Sequence, residues 1–387
     1  MDPVGQSQVI PYLIRLAAKG ASVTLISFEK RDRLKKNDLV CFQTKLLSRA
    51  KIYWQALLYH KKLTLPATFF DVLQGFMMGY WLIRRRKIQI IHARGYVAGL
   101  IGWLLKRLVG VRFVFDMRGF WADEKVDARY WSRQGLLYRL TKKIERILIF
   151  GADEIVVLTK AAQNILKEKF NLQHICVVPC CVDLSLFNLN GNGRKMPFLP
   201  ERFPVIYVGS LGTFYQFEEM IRFFSLFQKK ITRTFLLLIT NSEPKHISNL
   251  LRSYGIKSED YLVTSVPYHR VPEFLRQSKV SLIFYHRPLS RSGCCPIKFG
   301  ESLACGVPVV INSGIGDCDE IVERERVGVI VRDFSLQSYQ NVINQLNALL
   351  KEGHRLRERC RRTAEKYFSL EDGVKTYWHI YERLRIS

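Results

Sequence analysis

The apolar positions of this chain recur with two periods that take turns along its length. Over 8–19, Val9, Tyr12, Leu13, Leu16 and Ala17 fall on one helical face, and Gly20 follows as a C-cap. A β-rich run at 22–28 comes next. The stretch 51–63 repeats the helical pattern, apolar on one side and basic on the other. Strand patterns at 88–93, 112–115 and 154–158 alternate with helical ones at 98–108 and 135–150. The alternation resumes after residue 203. Strands are expected at 204–208, 235–240, 261–264, 280–284 and 307–311, and helices at 218–227, 247–254, 271–277, 297–304 and 370–384. Strands interleaved with helices predict an α/β fold of parallel sheets covered by helices.

The stretch N-L-N-G-N-G-R-K-M-P-F-L-P-E-R-F at 188–203 has no periodicity and reads as a linker. The expected organisation is an N-terminal α/β domain at 1–187, a linker at 188–203 and a C-terminal α/β domain at 204–368. A last helix at 369–387 is expected to cross back to the first domain. Two such domains on a short linker imply a cleft between them. A domain of this type normally opens with a strand, usually a central one. This chain opens instead with M-D-P-V-G-Q-S-Q, a loop composition, and passes straight into a helix. The expectation is an N-terminal domain that lacks its first strand, or whose natural start lies upstream.

The run at 65–83 approaches the roughly 20 apolar residues of a membrane span. Pro66, Asp71, Gln74 and two glycines argue instead for a buried or interface-lying helix.

Charge narrows the partners. The 387 residues carry a formal net charge of +26, which favours an anionic partner such as a phosphate-bearing substrate, nucleic acid or an acidic membrane surface. The nine cysteines show no C-x-x-C and no zinc spacing, so free thiols in a reducing cytoplasm are expected. No basic n-region precedes an apolar run at the start, so no secretory signal is read.

The chemistry concentrates in C-C-P-I-K-F-G-E-S-L-A-C-G-V-P-V-V-I-N, residues 294–312. Pro296 suits the first turn of a helix, whose free N–H groups attract anions. Lys298 sits in that turn. Glu301, three positions on, shares its face. Together they could hold a nucleoside diphosphate, the lysine on phosphate and the carboxylate on ribose hydroxyls. An exposed i,i+3 ion pair is the alternative. Tyr207 to Phe214, Y-V-G-S-L-G-T-F, adds a strand running into a glycine turn, where Gly209 and Gly212 would let backbone approach a phosphate.

These motifs, with G-D-C-D-E-I-V and V-G-V-I-V beyond them, resemble family-4 glycosyltransferases of the GT-B fold. I-I-H-A-R-G-Y, F-D-M-R-G-F-W-A-D-E and G-A-D-E-I-V-V-L-T-K-A-A extend the resemblance over nearly the whole chain. It implies two facing Rossmann-like domains and a retaining transfer from a nucleoside-diphosphate sugar, with no metal and no further cofactor. By the same resemblance Gly209, Ser210, Gly212, Pro296, Lys298 and Glu301 hold the donor. Gly5 approaches its phosphates, and His92 lies near the sugar. Asp116 and Arg118 join His92 as catalytic candidates: one carboxylate of the loop F-D-M-R-G-F-W-A-D-E orients the acceptor hydroxyl, and Arg118 holds an acceptor or donor phosphate. Asp123 and Glu124 share that charged loop.

The departures are specific. Many members carry a second glutamate where this chain has Gly293, and cations where it has Ser210 and Tyr215. Phosphate neutralisation then rests on Lys298 and helix N-termini, with Arg287 and Arg291 as the next cations. The acceptor implied is a lipid-linked or growing surface glycan. Basic aromatic segments at 29–36, 51–62 and 84–87 fit peripheral attachment to the inner face of the cytoplasmic membrane. Two other readings stay open: a non-catalytic basic module for membrane or nucleic acid, though no nucleic-acid motif is present, and a degenerate, inactive transferase.

Overall fold

The computed structural model describes residues 3–31, 44–60, 64–191, 201–212, 214–286 and 289–386. The chain divides into two compact units. One comprises Met1–Pro179 with Leu370–Ser387, and the other Cys180–Ser369. The second unit therefore begins upstream of the 188–203 stretch, of which 192–200 lie outside the described residues.

The first unit opens with helices α1 (Pro3–Gln8) and α2 (Ile10–Ala18), followed by strands β1 (Thr24–Glu29) and β2 (Tyr53–Leu58). Two expectations are corrected here. The opening residues are helical rather than loop: Pro3 stands at the first helical position, where a missing N–H costs nothing. The stretch 51–63 is not a helix. Lys51 takes a positive φ of 57°, and Tyr53–Leu58 pairs in parallel with β1, Thr24 opposite Tyr53. Pairing with a strand far away in sequence overrides the local helical spacing, and Tyr-Trp suits a strand. The basic amphipathic helix expected at 51–62 is thereby lost; 61–63 lie outside the described residues.

Helix α3 (Thr64–Arg86) follows, then β3 (Ile90–Arg94), α4 (Tyr96–Val109), β4 (Arg112–Asp116), α5 (Trp121–Asp127), α6 (Leu136–Gly151), β5 (Glu154–Val157), α7 (Lys160–Phe170) and β6 (Ile175–Val177). Strands β3-β4-β5-β6 form a parallel sheet, and β1-β2 a separate one. β1 and β3 each pair on one side only, and no described segment joins them. Buried apolar residues follow the same division. Phe113, Phe115, Leu148 and Ile155 form one cluster, Ile10, Leu47 and Ile52 another, and Ile83, Ile101 and Leu105 a third. Helix α3 buries Ala67, Asp71, Leu82 and Ile83 and exposes Phe69, Phe70, Leu73, Met77 and Trp81. Among the described residues no helix is long and apolar enough to cross a membrane.

The second unit contains β7 (Phe203–Val208), α8 (Phe217–Lys230), β8 (Thr234–Ile239), α9 (Pro244–Ser253), β9 (Tyr261–Thr264), α10 (Val271–Gln277), β10 (Val280–Ile283), α11 (Ile297–Ala304), β11 (Val309–Asn312), α12 (Cys318–Glu325), β12 (Gly328–Val331), α13 (Leu336–Leu350) and α14 (His354–Phe368). Its six parallel strands run β12-β11-β10-β7-β8-β9 around one continuous core. Strand order reverses at β7, the first strand, which lies between β10 and β8. In open α/β sheets ligands bind outside the strand C-termini at such a point. The last helix, α15 (Leu370–Ile386), belongs to the first unit.

Candidate active site

In the second unit the sequence candidates converge at the switch point. β7 ends at Val208, and Gly209 follows with φ 137°, a conformation that favours glycine. A Cβ added at Gly209 would stand 2.7 Å from the Nζ of Lys298, so the turn closes directly on that ammonium. Ser210 offers its carbonyl to the Tyr207 hydroxyl at 2.5 Å. Gly212 meets open space and has no such steric requirement.

Pro296 is the N-cap of α11 rather than part of its first turn. Lys298 and Glu301 are 7% and 3% exposed, which rules out a solvated surface pair. Nor do they pair with each other among the described residues. Glu301 accepts from the Tyr268 hydroxyl at 2.7 Å. The Nζ of Lys298 lies among three rings, 4.0 Å from the centroid of Tyr215, 4.4 Å from Tyr207 and 5.7 Å from Tyr285. Its hydrogen-bond contact is the Tyr207 hydroxyl at 3.4 Å. Cation–π contacts and one long hydrogen bond compensate a buried ammonium only in part. Burial accordingly pulls the Lys298 pKa down to about 7, against the pull of Glu301. Burial pushes Glu301 up to about 7, against Tyr268 and Lys298. Tyr215, where many family members carry a cation, is a wall of this cage. Gly293 ends a 3₁₀ turn, Leu289–Gly293. Arg287 lies outside the described residues. The eight described cysteines form no disulfide, and no group of three or more His, Cys, Asp or Glu among the described residues could hold a metal ion.

In the first unit the parallel pairing of β3 and β4 brings His92 and Asp116 together: Asp116 ends β4 opposite Arg94, two residues beyond His92 in β3. Asp116 is 1% exposed. Its Oδ2 lies 3.5 Å from the Nε2 of His92 and 3.6 Å from the Nη1 of Arg118, and accepts from the Tyr377 hydroxyl at 3.3 Å. Its Oδ1 is buried without a hydrogen-bond partner. Burial raises the Asp116 pKa, but Arg118, His92 and Arg94 together outweigh it and bring it to about 2. Arg118 holds a left-handed φ of 59°. The Nδ1 of His92 lies 2.6 Å from the Tyr381 hydroxyl. Asp123 is engaged elsewhere, by Tyr138 and Lys142 at 2.9 and 3.0 Å. Gly5 lies buried in α1, its carbonyl accepting from the Val9 N–H.

Sequence reasoning missed the tyrosines of both sites. Tyr377 and Tyr381 stand four apart in T-Y-W-H-I-Y, on one face of α15, and that spacing was the available signal. Tyr207 is inside the glycine-turn motif. Nothing local marks Tyr268 or Tyr285.

Known proteins share this architecture. The family model for Glycosyltransferase Family 4 matches residues 5–186, and that for Glycosyl transferases group 1 matches 194–367. A curated relative, the uncharacterized glycosyltransferase MJ1069 of Methanocaldococcus jannaschii, is 21% identical over 257 residues, 64% of this chain. The chain spans 63% of that relative's length. Among solved structures, a glycosyltransferase from Rickettsia africae superposes with a TM-score of 0.72 at 14% identity, covering 99% of this chain and 96% of its own. Anabaena Alr3699/HepE, solved with UDP and glucose, gives 0.72 at 13%, covering 99% and 97%. Sucrose-phosphate synthase from Thermosynechococcus elongatus gives 0.70 at 16%, covering 94% and 99%.

Proposed function

The chain belongs to the family-4-type glycosyltransferases of the GT-B fold, and we propose that it moves a sugar from a nucleoside diphosphate to a hydroxyl, retaining anomeric configuration. One observation carries this reading. A buried ammonium that forms no ion pair among the described residues, Lys298, lies against the Gly209 turn at a topological switch point, with a buried carboxylate one helical turn away. That constellation suits a diphosphate and a ribose. The solved HepE complex with UDP and glucose is consistent with such a donor.

In this reading Lys298 stabilises the charge that grows on the departing diphosphate. Glu301 accepts the ribose hydroxyls, with Tyr268 as its partner in the empty site. The unpartnered Oδ1 of Asp116 accepts the acceptor's hydroxyl proton in a hydrogen bond and orients its oxygen. His92, between Tyr381 and Asp116, keeps that carboxylate in place. The test is thermal stabilisation by UDP, GDP and ADP. At about 100 times its dissociation constant the matching diphosphate adds roughly 2.7 kcal/mol. Glu301→Ala removes the shift. No shift with any of the three would sink the reading and favour a non-catalytic basic module or an inactive transferase. Once the donor is known, the anomeric proton signal of the product tests retention.

The acceptor is a lipid-linked or growing glycan at the cytoplasmic face of a membrane. Supporting this, Phe69, Leu73, Met77 and Trp81 form an exposed stripe at four-residue spacing on α3. Arg84, Arg85 and Arg86 follow at its end, Arg85 lying 4.9 Å over the Trp81 ring. An apolar stripe ending in cations fits an anionic lipid surface. The protein should sediment with phosphatidylglycerol vesicles and not with phosphatidylcholine, and Trp81→Glu with Met77→Glu should abolish this. Equal sedimentation of the variant would remove α3 from the argument.

A further inference from the structure

Resting on the donor reading above, we propose that Arg291 is the second phosphate-binding cation of this site, replacing the cations that the family usually carries at the positions of Ser210 and Tyr215.

Arg291 is 5% exposed, yet its guanidinium is nearly unpartnered. Nη1 reaches only the Sγ of Cys294, at 3.8 Å. Nε and Nη2 are buried with no hydrogen-bond partner among the described residues. Three N–H donors of a permanently charged group thus have no acceptor. A core position would select against that, since an unsatisfied buried charge is destabilising and an apolar residue of similar size would serve packing better. The arrangement makes sense as a site prepared for an anion.

Its position identifies the anion. The guanidinium carbon lies 5.6 Å from the centroid of the Tyr285 ring, and the Nζ of Lys298 lies 5.7 Å from that same centroid. Tyr215 packs against Tyr285 with centroids 4.7 Å apart, and Lys298 lies over Tyr215. Two uncompensated cations therefore flank one aromatic pair at the C-terminal ends of β7 and β10. A single phosphate would satisfy one of them; a diphosphate has the length and charge for both. The backbone holds Arg291 firmly, since its carbonyl accepts from Cys294 N–H at 2.9 Å and from Gly316 N–H at 2.8 Å. The half-buried Phe214 ring covers the guanidinium at 4.7 Å. The diphosphate reaches Nε and Nη2 by displacing that ring. The planar fork then offers two parallel N–H donors to phosphate oxygens.

The experiment compares wild type, Arg291→Met, Arg291→Lys and Glu301→Ala by calorimetric titration with UDP, GDP and ADP, the matching free nucleoside, and inorganic pyrophosphate as competitor. Arg291→Met should weaken the matching diphosphate by about 10- to 100-fold and leave the nucleoside unchanged. It should also abolish competition by pyrophosphate. Its melting temperature without ligand should rise, because a buried unpaired charge has gone. Arg291→Lys should lose affinity less, and its melting temperature should stay near wild type. Should Arg291→Met fail to fold, a lysine variant that keeps full diphosphate affinity would still overturn the proposal. So would a methionine variant that binds like wild type while Glu301→Ala does not; the donor reading would then survive without Arg291. A lower melting temperature with unchanged affinity would make Arg291 a packing residue. Absence of binding to wild type would end both readings together.

Discussion

The two units treat buried charge in opposite ways. In the first, Asp116 is buried with its partners: the guanidinium groups of Arg118 and Arg94 and the hydrogen bond from His92 outweigh the cost of burial and keep it ionised. In the second, Lys298 and Arg291 are equally buried, but aromatic faces stand where carboxylates would be. Their cores differ as well, one continuous in the second unit and divided into separate clusters in the first. The unit with the better core is the one that can carry uncompensated charge. The difference separates a charge that belongs to the resting structure from charges whose partner arrives with a ligand.

Substitution should expose that asymmetry. Lys298→Met is expected to lower kcat/KM by about 10²–10³-fold, roughly 2.7–4 kcal/mol of transition-state stabilisation. The empty protein should be no less stable, because a partly compensated ammonium has been replaced by an apolar chain. Asp116→Asn should do the reverse to stability, lowering it by roughly 1–3 kcal/mol in urea titrations as Arg118 loses its counter-charge. If both substitutions destabilise alike, the contrast between the units fails.

A subtler effect is a stability minimum. Glu301 titrates near 4.5 in the unfolded chain and near 7 when folded, so between those values the native state holds more protons. Stability contributed by this group falls as pH rises through that window. Lys298 goes from 10.5 unfolded to about 7 folded, so above pH 7 the unfolded chain holds more protons. Its contribution to stability rises from pH 7 toward 10.5. The empty site should therefore be least stable near pH 7, with limbs of at most roughly 1.4 kcal/mol per pH unit. Urea unfolding across pH 4.5 to 10 checks this. Glu301→Gln should flatten the acid limb and Lys298→Met the alkaline one; no difference from wild type in either would show that the charges are not held as described.

Much of this is legible in the sequence alone. The alternation of periods predicted parallel sheets, and the helix over 297–304 agrees residue for residue, because capping, spacing and burial pattern are local properties. Lys298 stands at the start of a helix and Asp116 at the end of a strand that the pattern located, and Glu301 and His92 lie within elements it also located. The helix expected at 51–63 failed because a strand is completed by its partner, and β1 lies more than twenty residues upstream of β2. What only the tertiary structure decided is which side chains meet. The sequence shows a lysine, an arginine and many tyrosines, but not that three tyrosines enclose that lysine or that the arginine has no acceptor. Nor does it show that Tyr377 and Tyr381, near the end of the chain, close on a histidine from β3. Secondary structure follows from spacing along the chain. Charge compensation depends on distances between residues that the chain separates by up to 356 positions, as in the Arg15–Glu371 ion pair, and those distances exist only once the chain has folded.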